Sequence, residues 1–274
     1  MNAILEEATR VEFLDDERFS ASLSEEWEIR GPLGGYVLGV ALRAAGAAGA
    51  YPQPVSASCS FVRRVVAGPV SGSVRALRRG RSACAQRVSL EQDGALVMDV
   101  VVWSTPTPDD DGGELDHDDA CCPVTGGPTE AAARGPDDAL PSFWRNVETI
   151  PVTLAPVWPP ESALDPLWRE WIRLRQPIGK HDAWLGAAYI ATLMDLHSWI
   201  PAWRRHAWRN LPFVAASLAL HVTFSGMGRA TDWLLTDGHA PLVVDGVIGW
   251  TGRLWSDSGQ LVASGTGETL WRKV

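Results

Sequence analysis

Two stretches of the chain are apolar at almost every position over helical lengths. The first, Gly34 to Ala50 (GGYVLGVALRAAGAAGA), follows a turn-rich approach through Gly31 and Pro32. The second, Asp182 to Trp199 (DAWLGAAYIATLMDLHSW), opens on an acid suited to capping a helix N-terminus. A helix that is apolar on nearly all sides is expected to be enclosed on nearly all sides. After each helix the pattern changes to that of strands. Val55–Val66, Val70–Leu77, Ala83–Gln92 and Ala95–Ser104 follow the first helix; Val214–Phe224, Asp232–Thr236, Gly246–Trp255 and Gln260–Trp271 follow the second. A tight turn joins the last two strands of each set, at Asp93-Gly94 and at Ser258-Gly259. The phrase Gly94-Ala-Leu-Val is echoed by Gly259-Gln-Leu-Val. This pattern predicts a duplicated α+β unit, each copy a central helix wrapped by an antiparallel sheet.

Between the repeats runs Thr105 to Pro141, rich in Pro, Gly and Asp and almost free of large apolar residues. It is expected to be an acidic, flexible linker (105–141) that buries little, joining one unit at 1–104 to another at 142–274. Its Asp, His and Cys side chains follow no metal-ligand spacing. Composition then narrows the class. With 46% hydrophobic and 21% charged residues the chain is globular, and its 14 Trp need a core to receive them. A net charge of −9 argues against a nucleic-acid partner, because phosphate affinity comes from clustered cations. Cys59, Cys84, Cys121 and Cys122 give no metal spacing either. Met1 to Arg10 lacks a signal-peptide pattern, and Gly34–Ala50 is interrupted by Arg43 and too short to span a bilayer. The expectation is a cytoplasmic protein with reduced thiols, no metal and no membrane partner.

Several phrases are more specific. Gly31-Pro-Leu-Gly-Gly-Tyr36, Phe61, Gly68 and Arg78-Arg-Gly-Arg-Ser82 occur in the first half. LMDLHSW around Asp195, SLALHVTF from Ser217 to Phe224, and GQLVASGTGETLW at the end occur in the second. In this order and spacing they resemble the acyl-CoA thioesterase II (TesB-like) family over nearly the whole chain outside the linker. The resemblance implies a double hotdog fold, an acyl-CoA substrate attacked by an activated water, no cofactor, and a homodimer or higher homo-oligomer. The family works with an Asp on the second central helix, a hydroxyl residue on the strand that follows, and a Gln on the last strand. These positions fall on Asp195, Ser217 and Gly267. The last is a departure, since glycine has no side chain to replace the Gln.

The residues carry their own chemistry. Asp195 shares a helical face with Trp184, Ala188 and Ala191, a small apolar face of the kind that packs close to a sheet. Burying a carboxylate there raises its pKa toward the range of a general base, and its competing role is to satisfy backbone groups near the helix end. Ser217 can hold a water against Asp195, or be an ordinary polar strand residue. Loss of one such preorganised donor typically costs roughly 100- to 1000-fold in rate. His221, at the same strand parity as Ser217, is an auxiliary candidate, and His197 a weaker one. Amide groups of Gly34 and Gly35 can hydrogen-bond a thioester carbonyl and its oxyanion, or the glycines can serve tight packing. Arg63, Arg64, Arg78, Arg79 and Arg81 form the densest cationic cluster; Arg78 and Arg81 are candidates for the phosphates of CoA, against solvation as their competing role. Gly265, Gly267 and Thr269 share one face of the last strand and leave a gap for a bulky neighbour or for ligand.

Two functions fit these features. One is an acyl-CoA thioesterase using Asp195 and Ser217. The other is a catalytically impaired binder of acyl-CoA or another thioester, favoured by Gly267. A hotdog hydratase would need a His/Asp or Asp/Glu pair, which the sequence does not supply. Apolar residues at both parities in Val97–Trp103 and Val243–Trp255 predict an outer sheet face that pairs with another copy.

Overall fold

The computed structural model describes residues 4–107, 117–129, 133, 140–155, 157, 159–178, 182–209, 212–225 and 232–273. Among them, twelve strands form one antiparallel sheet. In chain order these are β1 (Val11–Phe13), β2 (Arg18–Leu23), β3 (Gln53–Phe61), β4 (Gly68–Arg79), β5 (Cys84–Gln92) and β6 (Ala95–Thr105), followed by β7 (Val147–Pro151), β8 (Leu167–Leu174), β9 (Phe213–Phe224), β10 (Leu234–Val244), β11 (Val247–Ser256) and β12 (Leu261–Lys273). The described helices are α1 (Leu5–Ala8), α2 (Gly34–Ala47), α3 (Ala183–Asp195) and α4 (Ile200–His206).

The sheet order β1-β2-β4-β5-β6-β3-β9-β12-β11-β10-β8-β7 reads the same from both ends once the halves are matched. β3 corresponds to β9, β6 to β12, β5 to β11, β4 to β10, β2 to β8 and β1 to β7. The halves join where β3 pairs with β9, from Ser56 opposite Thr223 to Ser60 opposite Ala219. The eight strands predicted after the two helices are all present. The four that precede the helices went unpredicted, because β1 and β2 are short and β8 (LWREWIRL) interrupts its apolar residues with charge. Asp93 and Gly94 both take positive φ, as do Asp245 and Gly246 between β10 and β11, the geometry of tight hairpins.

Small residues decide how α2 and α3 meet. A Cβ on Gly35 would stand 2.1 Å from the Ala191 carbonyl oxygen, and one on Gly39 3.1 Å from the Ala188 Cβ. At the other end, a Cβ on Gly46 would stand 2.5 Å from the Trp184 ring. The helices therefore run antiparallel in near-backbone contact. The face of α3 holding Trp184, Ala188, Ala191 and Asp195 packs on α2, not on the sheet as its small residues suggested. Asp182 caps α3 as expected, accepting from the Trp184 and Leu185 amides at 3.0 Å. That helix stops at Asp195, short of Trp199: Leu196–Ser198 forms a tighter turn, and Pro201 opens α4, where its missing N–H breaks no bond.

The main core runs through both halves and encloses the two central helices. A smaller apolar cluster of Ile150, Trp171, Trp233, Leu235 and Trp255 lies on the opposite sheet face from Leu234 and Leu254. Cys122, Val124 and Ala133, from the stretch expected as linker, pack on this cluster. The rest of that stretch, 108–116, 130–132 and 134–139, lies outside the described residues. Among the described residues, no helix is long and apolar enough to cross a membrane.

Candidate active site

Asp195 ends α3 with only 2% of its surface exposed. Its position is fixed from both halves of the chain. Ser217 Oγ, on β9, donates to Asp195 Oδ1 at 2.8 Å, and the Gly35 amide, at the start of α2, donates to Oδ2 at 3.1 Å. Burial pushes the carboxyl above its ordinary range. The Ser217 hydroxyl and then the Gly35 and Gly34 amides act the other way, favouring the charged form. A buried carboxylate with matched donors and a raised pKa suits proton abstraction near neutral pH.

A bulge aims Ser217 at this carboxylate. The β9–β12 ladder shifts register between Glu268 and Thr269, so that Glu268 faces Ala219 while Thr269 faces Ser217, and Leu218 is the extra residue. Beyond the bulge Leu220, Val222 and Phe224 are buried and His221 is exposed. The bulge thus reverses the parity on which His221 was placed beside Ser217. His221 instead points to the far face, with Nδ1 2.7 Å from Ser58 Oγ, and takes no part in the site. His197 is wholly buried against Gly238 and Gly252, and burial lowers its pKa to about 4, so it is a neutral core residue.

Asp195, Ser217 and Gly34 open on a cavity of about 560 Å³ lined also by Val37, Phe61, Met98, Trp199 and Phe213. Arg30, Arg63 and Arg64 line it too. Arg30 donates to the Phe213 carbonyl at 2.8 Å, and Arg64 donates to the Arg30 carbonyl at 3.2 Å. The other arginines of the cationic cluster, including Arg78 and Arg81, do not line this cavity. Arg30 escaped the sequence reading because it stands apart from that cluster, although it directly precedes the Gly31 phrase.

Two other expectations change. The Gly35 amide is not free for a substrate carbonyl, because it holds Asp195; a close helix contact and a hydrogen bond account for that glycine together. At Gly267 a Cβ would meet the Trp250 ring at 2.5 Å and the Ala219 carbonyl oxygen at 2.6 Å. Met194 similarly covers Gly265. Bulky neighbours fill the gap along β12, and the Trp250 indole lies where a side chain at position 267 would project.

Two wrapped helices, a sheet joined through β3 and β9, and a polar pair at the seam define a double hotdog. The chain belongs to the acyl-CoA thioesterase family: residues 23–105 match its N-terminal domain and residues 119–270 its C-terminal domain. Solved structures show the same fold. The chain is similar to a conserved protein of unknown function with hot dog fold from Alicyclobacillus acidocaldarius, at 19% identity and TM-score 0.80 over 100% of both chains. It is similar to the acyl-CoA thioesterase II TesB2 of Mycobacterium marinum at 24% identity and TM-score 0.75, covering 98% of this chain and 97% of that one. The tesB protein of Mycobacterium avium subsp. paratuberculosis aligns at 22% identity and TM-score 0.76, over 98% of each. A search of the curated proteins returned no match.

Proposed function

We propose that this protein hydrolyses acyl-CoA thioesters, with Asp195 as the general base and Ser217 positioning the attacking water. The observation that carries this reading is the 2.8 Å bond from Ser217 to a buried carboxylate that lines the cavity. Asp195 takes a proton from water as the water oxygen bonds to the thioester carbon, whose carbonyl becomes an oxyanion. The oxyanion collapses, the C–S bond breaks, and the thiolate recovers the proton from Asp195, giving a carboxylic acid and free CoA. The apolar lining of the cavity suits an acyl chain. Arg30, Arg63 and Arg64 bring positive charge to an acidic protein, where the phosphates of CoA need it. Under this reading the two hotdog units, 1–104 and 142–274, share one site through Gly35 and Asp195.

The test is thiol release from a series of acyl-CoA thioesters of increasing chain length. Turnover by the native chain with loss of activity in Asp195→Asn supports the proposal. Retention of more than about a tenth of the native rate removes Asp195 as the base, since deleting a general base typically costs about 100-fold or more.

Trp250 over Gly267 favours a second reading, a thioester-binding protein that has lost turnover. It is distinguished by saturable binding of acyl-CoA without thiol release. In either case the protein is proposed to act in the cytoplasm as a homodimer or higher oligomer, supported by the exposed apolar side chains of Trp103, Leu218, Leu242 and Val244. Light scattering giving the 29.7 kDa monomer mass at micromolar concentration removes the oligomer.

A further inference from the structure

Thr269 is fully buried, and its Oγ1 has no hydrogen-bond partner among the described residues. Buried hydroxyls are normally paired, and an unpaired one is unfavourable compared with the apolar isostere valine. Its place in the sheet gives the hydroxyl a use. Thr269 lies directly opposite Ser217 in the β9–β12 ladder, at the register shift that turns Ser217 inward. Side chains of directly opposed residues share a face, with β-carbons roughly 5 Å apart. The two hydroxyls do not bond directly, and that distance leaves room for one water to bridge them.

We infer that Thr269 is a positioning residue of the site, its hydroxyl donating through one bridging water to Ser217 Oγ so that the Ser217 proton is held on Asp195 Oδ1. The inference rests on the hydrolase reading given above. Ser217 has a single proton and gives it to Asp195. A donor behind Ser217 removes the alternative in which that hydroxyl rotates away, and it polarises the chain from Thr269 through Ser217 to the carboxylate. One lone pair of Ser217 Oγ then remains for the attacking water. Strand geometry supports the assignment independently. Position 267 cannot carry a polar side chain beneath Trp250, and 269 is the next residue of β12 that faces inward. The third polar group has moved two residues along the same face.

Thr269→Val and Thr269→Ser test this, assayed by thiol release with the best substrate in a butyryl- to palmitoyl-CoA series. Valine keeps the shape and loses the hydroxyl; serine keeps the hydroxyl. The expected result for Thr269→Val is an unchanged or higher melting temperature, kcat down about tenfold with KM within about twofold, and the acidic limb of the pH profile moved upward. Thr269→Ser should restore kcat to within about threefold of native. A purely structural threonine predicts the reverse, with valine active and the limb unmoved, and that result overturns the proposal; so does equal loss in both variants. Carbon-13 titration of the Asp195 carboxyl gives a readout without turnover, and its pKa should rise in Thr269→Val. An unmoved carboxyl titration overturns the Thr269 assignment alone. A fully active Asp195→Asn overturns the hydrolase mechanism beneath it, whatever the Thr269 variants do.

Discussion

The Gly35 amide donates to Asp195 Oδ2 at 3.1 Å across 160 residues of sequence, joining the start of one central helix to the end of the other. The carboxylate belongs to the second repeat and half of its support to the first. Neither half forms the proposed site alone.

Asp195→Asn should raise thermal stability at neutral pH while abolishing turnover. Burial raises the Asp195 pKa, so its contribution to stability is fully present below the unfolded-state value near 3.8 and is lost as pH rises through the folded value. At neutral pH the buried charge is therefore a net cost. Asparagine removes that charge and can still accept from Gly35 and donate to Ser217. Melting temperatures at pH 7 and pH 4 check this, and the advantage of the variant should shrink at the lower pH.

Ser217→Ala should slow hydrolysis by roughly 10- to 100-fold and move the acidic limb of kcat/KM to higher pH. The serine hydroxyl is the strongest of the groups that favour the charged carboxylate, so its loss lets burial raise the pKa further. A pH–rate profile with an unmoved limb means the titrating base is not Asp195.

Gly35→Ala should destabilise the fold by on the order of 3 kcal/mol, because a methyl group cannot enter the 2.1 Å gap to the Ala191 carbonyl without parting the helices. Gly249→Ala is the control on a strand, where a Cβ meets nothing within 4 Å. Denaturant titration of the two variants should separate them clearly, and equal midpoints contradict the packing argument.

Gly267→Gln should fail to improve activity. The new Cβ would stand 2.5 Å from the Trp250 ring, so the amide displaces the indole or distorts β12 before it can reach substrate. Lower stability with unchanged or reduced turnover is the expected outcome. A faster enzyme at native stability would show that Trp250 yields.

The repeat was legible because it is written in local pattern. Nearly all-apolar helices, period-two runs and Asp-Gly turns each constrain a few neighbouring residues, and their order gave both hotdogs. Asp182 as a cap and Asp195 as a buried acid on a small-residue face were readable for the same reason. β1 and β8 were not, since three residues or a charged strand carry too little alternation to stand out.

The site itself needed the tertiary structure. Alternation placed His221 beside Ser217, and one extra residue at Leu218 sent them to opposite faces, because a bulge inverts every parity beyond it. Charge density singled out Arg63, Arg64, Arg78, Arg79 and Arg81, of which Arg63 and Arg64 line the cavity and Arg78 and Arg81 do not, while Arg30 joins them there only through folding, beside Phe213. Gly267 in the sequence is an absent side chain; in the fold it is the seat of Trp250. Sequence alone determined the repeated elements and the acid at the end of α3, since these follow from neighbours along the chain. Which groups face that acid was decided by contacts between β9, β12 and the two helices, whose distances no local pattern encodes.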